Sequence, residues 1–224
     1  MAILAIEEKL KESFSRSPYT HFLSLPINDI NVRKSVELFH EEVRKVASKL
    51  PGFDTSMQVS PDKLHLTIAV MRLSTPESIQ NASNLLMELT KTVKLPDPIT
   101  IRLKGLDIMK GTEKAAHVIY ARVEEMTGRT GVLMTLCRSI IEKFHQAGFI
   151  TDGDSHDPKF HCTLINTKYA ERGRSFHTPI DASEIMLRFG GTDFGSLQLD
   201  SLHLSIMERP ANGGYPYEAK IELY

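Results

Sequence analysis

The sequence predicts an α+β fold that is bilobal, with two pseudo-symmetric antiparallel or mixed sheets, helices on the outside and a central cleft. Three observations lead there. Helical and strand-like periodicities alternate along the chain. Pro, Gly and Asp punctuate the joints closely, which favours short connections over the long crossovers of a parallel sheet. The order of elements in the first half recurs in the second. At 224 residues the chain is long for one small domain and short for two, which suits one bilobal unit.

Taken in order, Ile3, Ile6, Leu10 and Phe14 have helical spacing and stop at Ser17-Pro18, so residues 1–18 read as an appended N-terminal helix and 19–224 as the main domain. His21 to Ile27 suggests a strand. Val32, Val36, Phe39, Val43, Val46 and Leu50 mark an amphipathic helix ended by Pro51-Gly52. A strand follows at Leu64 to Leu73, a helix opened by Pro76, and strands near Ile99–Ile108 and Ala116–Val123. In the second half, Leu133, Leu136, Ile140, Ile141 and Phe144 define a helix closed by Gly148. Strands are expected at Phe160–Thr167, Ser196–Met207 and Tyr217–Leu223.

Composition narrows the function classes. Apolar residues make up 41% and charged residues 25%, enough to bury a sizeable core. Lys plus Arg (27) nearly balances Asp plus Glu (28), so any hold on phosphate must come from a local cluster. Cys137 and Cys162 sit in apolar runs, as reduced, packed thiols do. No run approaches the ~20 apolar residues of a membrane span, and Met1 to Ile6 leads into Glu7-Glu8-Lys9 without the charge order of a signal peptide. The expectation is an intracellular protein with no membrane partner.

The chemistry lies in a repeat. Asp62 to Ala69 aligns with Pro158 to Ile165 as Lys, apolar, His, apolar, Thr, apolar: Lys63-Leu64-His65-Leu66-Thr67-Ile68 against Lys159-Phe160-His161-Cys162-Thr163-Leu164. On a strand, Lys63, His65 and Thr67 share one face and Leu64, Leu66 and Ile68 the other, with same-face neighbours ~7 Å apart. Two imidazoles near neutral pH can divide the base and acid roles that phosphodiester cleavage needs. Each Thr hydroxyl can donate to a non-bridging phosphate oxygen. The catalytic candidates are therefore His65 and His161, and the phosphate-binding candidates Thr67 and Thr163. Lys63 and Lys159 either add local positive charge or are simply solvated. No metal or other cofactor is called for.

Leu202-His203-Leu204-Ser205 fits the pattern loosely but lacks the Pro-Lys preface, so His203 and Ser205 are assigned a supporting or substrate-binding place beside the site. His21, His40, His117, His145, His156 and His177 carry no motif. Phe194, Tyr169 and Tyr19 are candidate platforms for a base. Two rivals stand: a binding module that holds a nucleotide or RNA 3′ end without turnover, and a zinc site of His65, His161 and His203, which lacks a convincing ligand set.

At Tyr19 to Ile27, Lys63 to Ile68 and Phe194 to Ser205 the sequence resembles the two-histidine phosphoesterase superfamily of LigT-like proteins, from about residue 19 to the end. Its members include RNA cyclic phosphodiesterases, the exonuclease that trims U6 small nuclear RNA, and the AMP-binding domain of a kinase-anchoring protein. The resemblance implies the two-histidine phosphoesterase fold, a catalytic pair at His65 and His161, and phosphate-binding hydroxyls at Thr67 and Thr163. It implies an RNA-directed phosphodiesterase acting at RNA ends, on a 2′,3′-cyclic phosphate or in 3′-end processing. One member that the sequence resembles is a nuclear subunit of a transcription-coactivator and alkylation-damage-repair complex that contains a helicase. There the domain follows an RNA-binding KH domain, whose Gly-x-x-Gly loop cannot precede Gly52, the first glycine here. The resemblance implies the tail of a truncated KH domain as one reading of the helix expected at 3–14.

Overall fold

The structure, a computed structural model, describes residues 18–90, 97–126, 131–170, 178–208 and 213–224. The helix expected at 3–14, and His177, lie outside them. Eight strands form one sheet: β1 (His21–Pro26), β2 (His65–Met71), β3 (Ile99–Thr112), β4 (Ala115–Glu125), β5 (His161–Asn166), β6 (Asp193–Leu199), β7 (Ser201–Ile206) and β8 (Tyr217–Glu222). Their order is β6-β3-β4-β5-β2-β1-β7-β8, and the pairings are antiparallel. The helices are α1 (Ile30–Lys45), α2 (Pro76–Leu89), α3 (Val132–Gln146) and α4 (Ser183–Phe189).

The two expected sheets are the four-stranded halves of this one, β6-β3-β4-β5 and β2-β1-β7-β8. They meet along a thin seam, where β2 and β5 share a single registered pair, Leu66 with Cys162. The halves of the fold are not the halves of the chain, because β7 and β8 return to pair beside β1. The strand expected over Ser196–Met207 is corrected to two. The apolar alternation shifts by one residue between Leu199 and Leu202, which marks the break at Asp200, and β6 and β7 then join different halves. Helix α4 has only seven residues, too few for helical periodicity to show.

Local signals set the remaining ends. Asp29 caps α1 by accepting from the Asn31 and Val32 amides, and Val32, Val36, Phe39 and Val43 form its buried stripe. The helix stops at Lys45, short of Leu50, and the chain tightens into a 3₁₀ turn at Ala47–Lys49. Thr75 and Ser78 form a capping box on α2 with Pro76 at its first position. Gly148, at φ +79°, takes the left-handed turn after α3. Leu66, Ile68, Cys162 and Leu164 all lie in the continuous apolar core. Among the described residues no helix is long and apolar enough to cross a membrane.

Candidate active site

Because Leu66 and Cys162 face each other from the buried side, alternation sends His65, Thr67, His161 and Thr163 to the opposite side of the seam. Continued by one residue, the register sets His65 across from Thr163 and Thr67 across from His161. The imidazoles are then diagonal neighbours, about 7–8 Å apart at Cα.

Each strand bulges just after its threonine. Leu23 pairs with Ala69 and Ser24 with Thr67, leaving Ile68 over; Ile119 pairs with Ile165 and Tyr120 with Thr163, leaving Leu164 over. A bulge bends its strand and re-aims side chains, so twin bulges turn both motifs the same way. The Leu164 carbonyl accepts from the Val59 amide at 2.9 Å and from His40 Nε2 at 3.1 Å. Burial pushes His40 down to about 4, so this histidine is a neutral structural donor.

The two histidines are held alike. His65 Nδ1 lies 2.7 Å from the Lys63 carbonyl and His161 Nδ1 lies 2.6 Å from the Lys159 carbonyl. A carbonyl oxygen only accepts, so each Nδ1 carries the proton and each neutral imidazole leaves Nε2 as its basic atom. At His65 that atom receives the Thr67 hydroxyl at 3.1 Å. Burial, with the facing His161 adding to it, pushes the His65 imidazole down to about 4 against the pull of the Lys63 carbonyl. Burial also lowers His161, helped by the Lys159 ammonium and opposed by the Lys159 carbonyl.

His65 separates two cavities. One of 410 Å³ is lined by Ser24, Arg33, Lys63, His203, Ser205 and Tyr215, among others. The other, 260 Å³, is lined by Phe22, Thr67, Thr163, Asn166, Lys168 and Tyr169 among others. Tyr215 lines both and meets His65 edge-on at 5.2 Å, while Phe22 packs on the same ring at 5.1 Å. The backbone before Tyr215 sits close, since a Cβ on Gly214 would come within 2.9 Å of the Asp62 carbonyl.

On the His161 side, Tyr120 meets His161 edge-on at 5.5 Å and donates its hydroxyl to Asp107 at 2.9 Å. Lys159 Nζ stands 5.4 Å from the Tyr120 ring centre. Burial would raise the Asp107 carboxyl. Hydrogen bonds from the Ile108 amide and Tyr120, with Lys159 and Arg122 near, hold it below its ordinary value.

Of the residues picked from sequence, the structure therefore brings His65, Thr67, His161 and Thr163 to one seam, with Lys63 and Tyr169 in the flanking cavities and Lys159 over Tyr120. His203 and Ser205 line the 410 Å³ cavity on β7; the Ser205 hydroxyl meets Ser24 Oγ at 2.9 Å, and burial lowers His203. His203 pairs across Ser24, which pairs with Thr67, so it lies two strand spacings, roughly 10 Å, from β2. No cluster of three or more His, Cys, Asp or Glu suited to a metal exists among the described residues. Phe194 is corrected from base platform to core: it is 1% exposed and packs edge-on against Phe39 at 5.6 Å, because its strand face points at α1. Tyr19 is tied to Asp154 at 2.5 Å beneath Arg72 and lines neither cavity. Sequence reasoning missed Tyr215, Tyr120, Asp107 and Arg122. Gly213-Gly214 and the lone Gly105 inside a strand were the available signals of close backbone approach.

Residues 19–223 match the family described as the AKAP7 2'5' RNA ligase-like domain. Mouse activating signal cointegrator 1 complex subunit 1 is 30% identical over 210 residues, covering 85% of this chain. The chain spans 58% of the length of that relative. Among solved structures, TT0787 of Thermus thermophilus superimposes with a TM-score of 0.57 at 18% identity, over 91% of this chain and 97% of that one. LigT of Escherichia coli complexed with NADP+ gives 0.53 at 15% identity, over 92% and 99%. These two establish a shared fold. With the sequence match running through all eight strands, the chain belongs to the AKAP7 2'5' RNA ligase-like domain family.

Proposed function

We propose that this chain is a metal-independent phosphodiesterase acting at RNA ends, with His65 and His161 as its proton-transfer pair. The observation that carries the reading is the seam itself, where two identically tethered imidazoles and two hydroxyls share one face. His65 is the deeper and more strongly neutral of the two and serves as base. Its Nε2 takes the proton of a water or 2′-hydroxyl as that oxygen bonds to phosphorus. The arriving phosphate anion favours the charged imidazole at His161. As the phosphorus to leaving-oxygen bond breaks, that oxygen takes the proton from His161 Nε2. The Thr67 and Thr163 hydroxyls donate to the non-bridging oxygens, and Lys63 and Lys159 add positive charge nearby.

A net charge of −1 gives little long-range hold on a duplex, so recognition is local, at a terminal nucleotide. His203, Ser205 and Tyr169 line the cavities where its base and sugar would lie. Escherichia coli LigT has been solved with 3'-AMP and with phosphate, in keeping with a nucleotide in such a cleft. The likeness to a complex subunit extends the proposal to a nuclear transcription-coactivator and alkylation-damage-repair assembly containing a helicase. Tagged chain recovered from nuclear extract is expected to bring that helicase with it. We further propose that 19–224 is the phosphoesterase unit and 1–18 the tail of a KH domain.

The deciding experiment offers matched oligonucleotides ending in an RNA 3′-hydroxyl, a DNA 3′-hydroxyl or a 2′,3′-cyclic phosphate. Cleavage or ring opening of the RNA ends alone is expected, and equal handling of DNA would refute the RNA preference. The lowered proton affinity of both imidazoles favours one alternative, a nucleotide-binding module without turnover, which tight binding of all three with no cleavage would establish.

A further inference from the structure

Where the two halves are so alike around the seam, a difference between them carries information about the ligand. Opposite His65, β1 presents Pro26; opposite His161, at the matching register position, β4 presents Arg122. Residues paired directly across antiparallel strands share a face, so Arg122 stands on the same side as His161 and Thr163.

Its guanidinium lies over the neighbouring strand at Gly105. A Cβ there would sit 2.3 Å from Arg122 Nη2 and 3.0 Å from Cζ, so a side chain at 105 would push the guanidinium aside. Gly105 has φ +74°, a conformation that favours glycine, and interrupts the register between Leu103 and Leu106 beneath this group. The Arg122 side chain is exposed and makes no hydrogen bond or ion pair among the described residues. Lys159 reaches the same surface across Tyr120. Asp107 faces both cations, and its carboxylate already accepts from Tyr120 and the Ile108 amide. Two cations against one committed carboxylate leave a positive surplus on the His161 side.

We propose that Arg122, seated on Gly105 and helped by Lys159, forms a second anion subsite that binds the neighbouring phosphate of the nucleotide whose diester lies at the seam. The proposal rests on the phosphodiester reading above. It gives the substrate a direction: the next phosphate along the chain lies on the β4 side, and the phosphate-free end lies toward the 410 Å³ cavity. A planar guanidinium suits two phosphate oxygens at once, which a lysine at 122 would not reproduce.

The test is calorimetric titration of the whole chain with 3′-AMP and with adenosine 3′,5′-bisphosphate. The bisphosphate is expected to bind roughly tenfold more tightly, the scale of one charge-assisted contact, and the gain should shrink as salt rises. Arg122→Gln should bring the ratio near one, Arg122→Lys should keep part of it, and Lys159→Gln should reduce it. Arg33→Gln, on the His65 side, should leave the ratio intact. A gain that survives Arg122→Gln, or one lost on Arg33→Gln, overturns the subsite. Equal affinity for the two nucleotides in the unaltered chain also overturns it while sparing the phosphodiester reading, whereas failure to bind either nucleotide sinks both.

Discussion

His65 and His161 owe their readiness to one local device, a ring nitrogen tied to the carbonyl two residues upstream. Replacing either with Ala should lower turnover of an RNA-end substrate by about 10²–10⁴ with the fold intact, because one proton-transfer partner is lost. His203→Ala should cost far less; the reverse ranking would assign the wrong pair. The depressed imidazoles also set the pH profile. His65 stays neutral well below its ordinary range, so the acid limb of kcat/KM should fall below about pH 6, and an acid limb at roughly 6.5 or above would contradict the burial described. The motif histidines and threonines were legible because a strand's two-residue period assigns faces without further information. Tyr215, Tyr120 and Arg122 were not, since which strand lies beside which is decided by long-range pairing that no local pattern records.

At the scale of elements, the sequence-based strands and longer helices sit where apolar periodicity places them, and their ends follow caps and glycines. The exceptions have separate causes. Two apolar runs adjoin with a shift of only one residue at Asp200, so β6 and β7 read as one strand, and α4 is shorter than two helical turns. The start of α3 shows how a distant residue can do a cap's work. Gly131 offers no side chain there, and the Glu125 carboxylate at the end of β4 accepts from the amides of Gly131, Val132 and Leu133. Glu125→Ala should destabilise the protein by about 1–2 kcal/mol, through lost capping and lost charge at the positive helix end. An unchanged denaturation midpoint would show that water replaces the carboxylate fully.

For the whole molecule, the bilobal α+β plan was legible, but the interleaving of chain ends into one half was not. Two expectations belong to this scale. Turnover should persist in excess EDTA, since the proposed base, acid and hydroxyl donors are all side chains; activity restored only by added zinc or magnesium would contradict it. Stability should fall as pH drops from 6.5 toward 4. In that window the unfolded chain protonates His40 and His65 while the folded one keeps them neutral, so the unfolded state binds more protons. A fall of roughly 4–8 °C in Tm between about pH 7 and 5 is expected, and it should be smaller in His40→Gln, whose amide can still donate to the Leu164 carbonyl.

The single rung between Leu66 and Cys162 has a dynamic consequence. Each half is laced internally by long ladders, so the sheet is least reinforced along the line its two histidines straddle, and opening there should require less free energy than opening within either half. A phosphate gripped from both sides would act as a removable staple across that line. Bound nucleotide should therefore slow amide hydrogen exchange at the seam selectively, with the β3–β4 hairpin changing little. In the empty protein the spacing of the two imidazoles would breathe, and the ligand itself would bring them into working distance.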